Sequence, residues 1–157
     1  MNIGDKNMVV KNINYIKYED IIELIKIEWP IQFGIISESE MIKKMYETND
    51  NQNDVNIVMI DDTKIIGWCR YTKWPKNEKE TKSVHLMDIA IDGKYQRKGY
   101  ASILVMKMID DCKNNGNDYI FSRTFSDNKE SIKLHEKHGF IIEFQKEDSI
   151  VWKRNLQ

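Results

Sequence analysis

The feature that most constrains this chain is a polar turn that joins an apolar strand directly to an amphipathic helix, in the sequence IAIDGKYQRKGYASILVMK at residues 89–107. The periodicity predicts a strand that ends at Ile91 and a helix that begins at Gly99 or Tyr100. The first backbone N–H groups of a helix have no partner within it, and the helix dipole adds partial positive charge there. Because Arg97 and Lys98 add full positive charges, the turn predicts an anion site of the kind that binds phosphate or pyrophosphate.

Composition limits what else the chain can do. A chain of 157 residues, 41% of them hydrophobic, fits a single domain over residues 1–157 with its own core. The net charge of -1 predicts no general attraction to nucleic acid or to an anionic membrane, so phosphate binding has to be local. There is no apolar run of about 18 residues and no basic N-terminal segment before an apolar run, which predicts a cytoplasmic protein that binds no membrane. Cys69 and Cys112 are expected in a reduced core, although a disulfide between them stays open.

The order of predicted elements is β, α, α, β, β, β, α, β, α, β, β. Strands are predicted at residues 8–13, 55–60, 64–74, 83–91, 119–124, 140–145 and 150–154. The first helix is predicted at 18–29, the second begins after Ser37 as N-cap, and the fourth is opened by Asp127 and runs to His138. A helix between the fourth and fifth strands predicts that these two strands run parallel. One mixed α/β layer structure accounts for the whole order.

Two segments resemble the GNAT superfamily of acyl-CoA-dependent N-acyltransferases. IAIDGKYQRKGYA at 89–101 is similar to the family's strand followed by its Q/R-x-x-G-x-G/A signature, and NKESIKLHEKHGF at 128–140 resembles its second motif, N-x-x-A-x-x-L-Y-x-x-x-G-F. The resemblance implies an α/β (α+β) fold with four helices around a mixed, mostly antiparallel sheet of about seven strands. It also implies that the parallel fourth and fifth strands splay apart, and that the chain transfers an acetyl group from acetyl-CoA to an amine.

The resemblance further implies where acetyl-CoA binds. The turn would hold the pyrophosphate, the end of the fourth strand would bind the pantetheine arm through freed backbone groups, and Asn128 would meet that arm from the other side. Gly99 lets the backbone approach the phosphate closely. The implied residues are Ile89, Ala90, Ile91, Gln96, Arg97, Lys98, Gly99, Tyr100, Ala101, Ser102 and Asn128.

Three residues are candidates for acid and base catalysis. The family commonly has Tyr after Leu134 to protonate the departing thiolate; His135 stands there and either keeps that role or loses it. The base that deprotonates the amine is expected on the fourth strand, as Asp88 for its nearness to the thioester or His85 for its ordinary pKa. Strict alternation puts His85 and Asp88 on opposite faces of the sheet unless a bulge reverses the phase.

The acceptor is predicted to be a small-molecule amine or a peptide N-terminus, and the resemblance leaves its identity open. Trp29 and Phe33 flank an apolar connection between the first two helices and are the candidates for an acceptor pocket. His135 and His138 have no third ligand at useful spacing, so no metal site is expected. A homodimer stays open.

Two other functions compete with this one. The first is a non-catalytic acyl-CoA-binding or sensor domain, in which the missing tyrosine has removed turnover. The second is an interaction module whose Arg97-Lys98 turn binds a phosphorylated partner or RNA. The nearly balanced charge and the lack of an aromatic-basic face argue against the second.

Overall fold

Seven strands and four α-helices make up the described part of the chain, which in this computed structural model comprises residues 7–30, 35–49, 52–74 and 82–157. The strands are β1 Met8–Ile13, β2 Asp54–Asp61, β3 Lys64–Trp74, β4 Ser83–Ile91, β5 Tyr119–Phe125, β6 Ile141–Gln145 and β7 Ser149–Asn155. The helices are α1 Ile22–Glu28, α2 Glu38–Thr48, α3 Tyr100–Asn114 and α4 Lys129–Lys137. The predicted order of elements is therefore confirmed.

All seven strands belong to one sheet, in the order β1-β2-β3-β4-β5-β7-β6. The pair β4 and β5 is parallel and every other neighbouring pair is antiparallel. Core residues divide between the two faces of the sheet. Helix α3 packs on one face through Leu104, Val105 and Met108, with α4 beside it, while α1 and α2 cover Val58, Trp68 and Ala90 on the other. None of the helices within the described ranges is long and apolar enough to cross a membrane.

Two helix starts show how local chemistry selects the ends of elements. The Ser37 hydroxyl accepts the Glu40 N–H at 3.2 Å, so Ser37 caps α2 as predicted. The prediction that Asp127 opens α4 was wrong. Asn128 is the cap, since its side-chain oxygen accepts the Ser131 N–H at 3.1 Å, and Asp127 belongs to the turn after β5. Asp and Asn are equally good caps, so position in the turn decided between them.

The parallel pair β4 and β5 separates partway along its length. Their register runs from Ser83↔Tyr119 to Leu86↔Ser122 and stops there. The last residues of β4 therefore have backbone groups that β5 does not pair, and a cleft opens between the two strands.

A bulge in β4 lies at the point where the strands separate. Across the sheet, Arg70 pairs with Asp88 and Tyr71 pairs with Leu86, so Met87 has no partner. His85 pairs with Thr72, and Thr72 and Arg70 are two residues apart on β3. Because residues two apart share a face, the bulge places His85 and Asp88 on the same face, the one that α1 and α2 cover.

Candidate active site

A cavity of about 440 Å³ lies in the cleft between the separated strands. One side of its wall comes from the end of α1, and the opposite side comes from α3 and α4, so the cavity passes through the gap in the sheet. The residues that line it are Ile27, Glu28, Ile89, Ala90, Ile91, Tyr95, Gln96, Arg97, Gly99, Tyr100, Ala101, Ser102, Asn128, Glu130, Ser131, Lys133, Leu134 and Lys137.

The turn at residues 96–101, called the cradle below, leads into α3 without a side-chain cap on the helix. Gly99 is the N-cap of α3 with a positive φ of 84°, and no side chain caps the helix. Arg97 has a φ of 63°, which is uncommon for a residue other than glycine and costs backbone strain. A Cβ added at Gly99 would meet no protein atom within 4 Å. The N–H groups at the start of α3 are thus free of a side-chain cap and lie at the cavity, where the helix dipole favours an anion.

The structure brings the predicted cofactor residues together around this cavity, with one exception. Lys98 does not line it, and its ammonium lies 5.7 Å from the centre of the Tyr95 ring. Gln96 donates from its side chain to the Ile91 carbonyl at 2.9 Å, which ties the turn to the end of β4. Across the mouth of the cavity, Arg97 pairs with Glu130 at 3.1 Å. Lys133 and Lys137 of α4 also line the cavity, so cationic side chains of the turn and of α4 lie beside the cradle.

Glu28 is a titratable residue of the cavity lining that was not predicted from the sequence. Its Oε2 accepts the Ile89 N–H at 3.3 Å, which connects the end of α1 to the separated part of β4. Burial, followed by the nearby charge of Asp88, raises the pKa of Glu28 to about 8. A carboxyl group with that pKa can accept a proton near neutral pH. The signal was present in the sequence, because Glu28 follows Leu24 and Ile25 on the apolar stripe of its helix, where a carboxylate is out of place.

Asp88, one of the two predicted bases, is buried and does not line the cavity. Its Oδ2 accepts from Arg70 Nε at 2.6 Å, and its Oδ1 accepts from the Trp29 indole at 3.1 Å. Burial raises the pKa of Asp88, and the Arg70 guanidinium opposes that effect. Both oxygens are engaged with donors, so the geometry gives Asp88 no direct path to a substrate.

His85, the other predicted base, also lies away from the cavity lining. Its ring lies between two aromatic rings, with centroids 5.5 Å from Trp74 and 5.7 Å from Phe121. Burial lowers the pKa of His85, which keeps the imidazole neutral. His85 and Asp88 share a face, but neither is brought to the cradle.

His135, the predicted acid, is buried in the core at 3% exposure and does not line the cavity. Its Nδ1 lies 2.7 Å from the Ser131 carbonyl oxygen, which can only accept, so Nδ1 carries a proton. Its Nε2 lies 2.8 Å from the Ser122 hydroxyl, and the ring stacks on Trp152. Burial lowers the pKa of His135 and favours the neutral ring. In this tautomer Nε2 accepts from Ser122, and the ring holds no second proton to donate.

The remaining predicted residues divide between the site and its surroundings. Trp29 is next to Glu28 and donates to Asp88, so its indole supports the buried ion pair. Phe33 lies outside the described residues. Cys69 and Cys112 are buried and unpaired, and burial raises the pKa of both thiols. Within the described ranges, no group of three His, Cys, Asp or Glu side chains is arranged to hold a metal ion.

Sequence comparison identifies a family. The model of the acetyltransferase (GNAT) family matches residues 18–140, which is most of the chain and includes both the cradle and α4. No curated protein sequence matches the chain.

Solved structures with the same fold include three of particular interest. The ribosomal-protein-S18-alanine N-acetyltransferase from Escherichia coli is 16% identical with a TM-score of 0.75, over 96% of this chain and 94% of that one. A GNAT family acetyltransferase from Elizabethkingia anophelis with acetyl-CoA bound is 17% identical with a TM-score of 0.70, over 97% and 100%. The paia N-acetyltransferase from Thermoplasma acidophilum, in complex with coenzyme A, is 13% identical with a TM-score of 0.70, over 94% and 99%. At these identities the similarity establishes the fold.

Proposed function

The chain belongs to the acetyltransferase (GNAT) family, and on that premise we propose that it transfers an acetyl group from acetyl-CoA to a primary amine, with Glu28 as the general base. One observation carries the proposal. A carboxyl group with its pKa raised to about 8 lines the same cavity as a helix N-terminus without a side-chain cap, where backbone N–H groups favour an anion. A base and an anion cradle on one cavity are what direct transfer to an amine requires.

Acetyl-CoA fits the residues around this cavity. Its pyrophosphate lies on the N–H groups at the start of α3, where Gly99 leaves the space next to the backbone open and Arg97 adds charge. The pantetheine arm runs along the edge of the backbone at 89–91 that β5 does not pair, and the side chain of Asn128 faces it from the start of α4. The two solved relatives that contain acetyl-CoA or coenzyme A support this cosubstrate.

The reaction is a direct displacement. The free amine nitrogen attacks the thioester carbon, the C–N bond forms, and the C–S bond breaks to release the CoA thiolate. The acceptor loses its ammonium proton to Glu28 before it attacks, the nitrogen loses a second proton to solvent as the amide forms, and the thiolate takes up a proton from solvent. The Ile89 N–H, at the separated end of β4, donates to the carbonyl oxygen as negative charge develops on it.

Glu28 takes the role of base in preference to the two residues predicted on β4. Asp88 has both oxygens bonded to donors, and His85 is held between aromatic rings. Asp88 has an electrostatic role instead, since its charge contributes to the raised pKa of Glu28. The acid role predicted for His135 requires a proton that the ring can give to the thiolate. The proton on Nδ1 is donated to the Ser131 carbonyl, and Nε2 accepts from Ser122.

The acceptor is proposed to approach as an ammonium group. Arg70 places one positive charge between the carboxylates of Asp54 and Asp88, and Glu28 adds a third acidic group beside them. The net negative charge of this buried group lies behind the cavity wall, and once Glu28 is ionised it favours a cation over an anion. Both small-molecule amines and protein N-termini satisfy this requirement, and one solved relative is named for an N-terminal alanine. Trp29 and Phe33 are proposed to contact the acceptor. A homodimer and a cytoplasmic location are also proposals.

A panel of acceptors tests the function. Thiol release from acetyl-CoA is measured with small primary amines, polyamines, peptides with free N-termini and matched N-blocked peptides. Saturable thiol release with at least one amine, together with the acetylated product by mass spectrometry, is the expected result. Tight acetyl-CoA binding with no turnover on any acceptor would identify a sensor domain. Absence of acetyl-CoA binding in calorimetry would contradict the proposal.

A further inference from the structure

The backbone N–H of Ile89 has two possible acceptors in this site. The Glu28 carboxylate accepts it at 3.3 Å, and both residues line the same cavity. The proposed reaction assigns that same N–H to the thioester carbonyl. Shared between both acceptors, one N–H would make two longer and less linear hydrogen bonds, so a single acceptor is favoured. Residue Ile89 lies beyond the last β4–β5 pair, Leu86↔Ser122, so β5 does not take part in this competition.

We propose that the Ile89 N–H is handed over during the reaction: it donates to Glu28 while the site holds no acyl group, and to the thioester oxygen when acetyl-CoA is bound. The inference rests on the proposed function, because it uses the same base and the same cosubstrate. Its new content is that acyl-group binding removes a hydrogen bond from the base.

The handover changes the basicity of Glu28 in a defined direction. A donated hydrogen bond stabilises the ionised carboxylate, so its loss raises the pKa of Glu28. The charged groups around Glu28 are Asp88 on β4, which raises that pKa, and Arg70 on β3, which lowers it. Asp54 on β2 shares the Arg70 guanidinium with Asp88. Neither ion pair involves Ile89, so the handover leaves them in place.

Through this exchange, the basicity of Glu28 depends on whether an acyl group is bound. Glu28 becomes a stronger base when the thioester is present and an amine has to lose its proton. After transfer, CoA has no acyl oxygen, so the Ile89 N–H returns to Glu28 and stabilises the carboxylate again. The proton taken from the amine is then released to solvent more readily, and the site is reset.

Proton uptake on binding tests the handover without turnover. Acetyl-CoA is compared with S-ethyl-CoA, a thioether that has the same chain length and lacks only the carbonyl oxygen. Isothermal titration calorimetry is performed without acceptor in triethanolamine and in Hepes, which differ in ionisation enthalpy, contain no primary amine and bring no phosphate to the anion site. From pH 7.5 to 9, bracketing the pKa of about 8, acetyl-CoA should take up roughly a few tenths of a proton more than S-ethyl-CoA.

Glu28→Gln is the matched variant, because its side-chain oxygen still accepts the Ile89 N–H but cannot titrate. In this variant the difference between the two ligands should disappear. Equal proton uptake by both ligands in the wild-type protein would overturn the handover, while acetylation of amines would still stand. If neither ligand binds, the handover and the proposed function both fail. The wild-type comparison decides the handover by itself if Glu28→Gln does not fold.

Discussion

Arg70 holds Asp88 in a buried ion pair, with Nε of the guanidinium 2.6 Å from Oδ2 of the carboxylate. Arg70 also reaches Asp54 at 3.0 Å, so one cation joins β2, β3 and β4 beneath the end of α1. The pair is fully enclosed, and it positions a carboxylate charge next to Glu28 without exposing it to the cavity. The buried ion pair therefore adjusts the electrostatics of the site, and Glu28 is left as the group that can exchange protons.

Glu28→Gln should remove the base. Loss of a positioned general base lowers kcat by about 10²- to 10⁴-fold. In the wild type, kcat/KM for acetyl-CoA, which reports the free enzyme, should fall as pH drops below about 8, because Glu28 becomes protonated. The pH–rate profile of the variant, measured with the same amine, should retain only the ionisation of that amine. Glu23→Gln, an exposed change on the same helix, is the control and should leave the profile as it is.

Glu28→Gln should also change the stability of the protein, by an amount that depends on pH. The folded pKa of Glu28, about 8, lies above its ordinary value of 4.5, so folding favours the protonated form. Stability from this group is present at low pH and is lost as pH rises from 4.5 to 8. Glu28→Gln should therefore raise Tm at pH 9 relative to the wild type by about a few degrees more than at pH 5. A Tm difference that is independent of pH would show that the Glu28 pKa is not raised.

Asp88→Asn tests whether Glu28 or Asp88 is the general base. Removing the Asp88 charge lowers the pKa of Glu28, so the acidic limb of the pH–rate profile should persist but move to lower pH. Breaking a buried ion pair should also cost about 3–5 kcal/mol of unfolding free energy. Denaturant unfolding and the rate profile measure the two effects. If the acidic limb vanished in Asp88→Asn and survived in Glu28→Gln, Asp88 would be the base.

Gly99→Ala tests the anion cradle, and Gly116→Ala is its matched control. Both glycines have a positive φ, 84° and 77°, and at both an added Cβ meets no protein atom within 4 Å. Each variant should lose about 1–2 kcal/mol from backbone strain. Only at Gly99 does the new methyl group lie where a phosphate would approach, so only that variant should raise the KM for acetyl-CoA, by about tenfold or more. Equal KM values in the two variants would argue against the cradle.

His135→Phe distinguishes a structural histidine from a catalytic acid. The change leaves the Ser122 hydroxyl without its partner, which should cost about 1–3 kcal/mol. Combined with Ser122→Ala, the loss should be less than the sum of the two single losses, because both variants remove the same hydrogen bond. For a structural role, kcat should change little. A large fall in kcat that His135→Tyr restores would instead support the predicted acid.

Most local features of this protein were predictable from its sequence, although the cap of α4 was not. The start of α3, the Ser37 cap and the strand limits depend on side chains a few residues apart, and the sequence displays such patterns directly. The two motifs at 89–101 and 128–140 were sufficient to predict the family, which the family model confirms. The seven-stranded sheet with its parallel β4 and β5 follows from the order of elements and from that family.

The identity of the base was decided by tertiary structure. Glu28 and Ile89 are far apart in sequence, and only the packing of α1 against the separated strand makes one carboxylate a neighbour of that N–H. The bulge at Met87 reversed the phase of β4, and Arg70 then enclosed Asp88 on the buried face. His135 likewise lies in the core, where it forms a hydrogen bond with Ser122 and stacks on Trp152. Sequence periodicity determines which residues share a strand or helix, whereas burial and charge partners, which set each pKa, depend on contacts between elements.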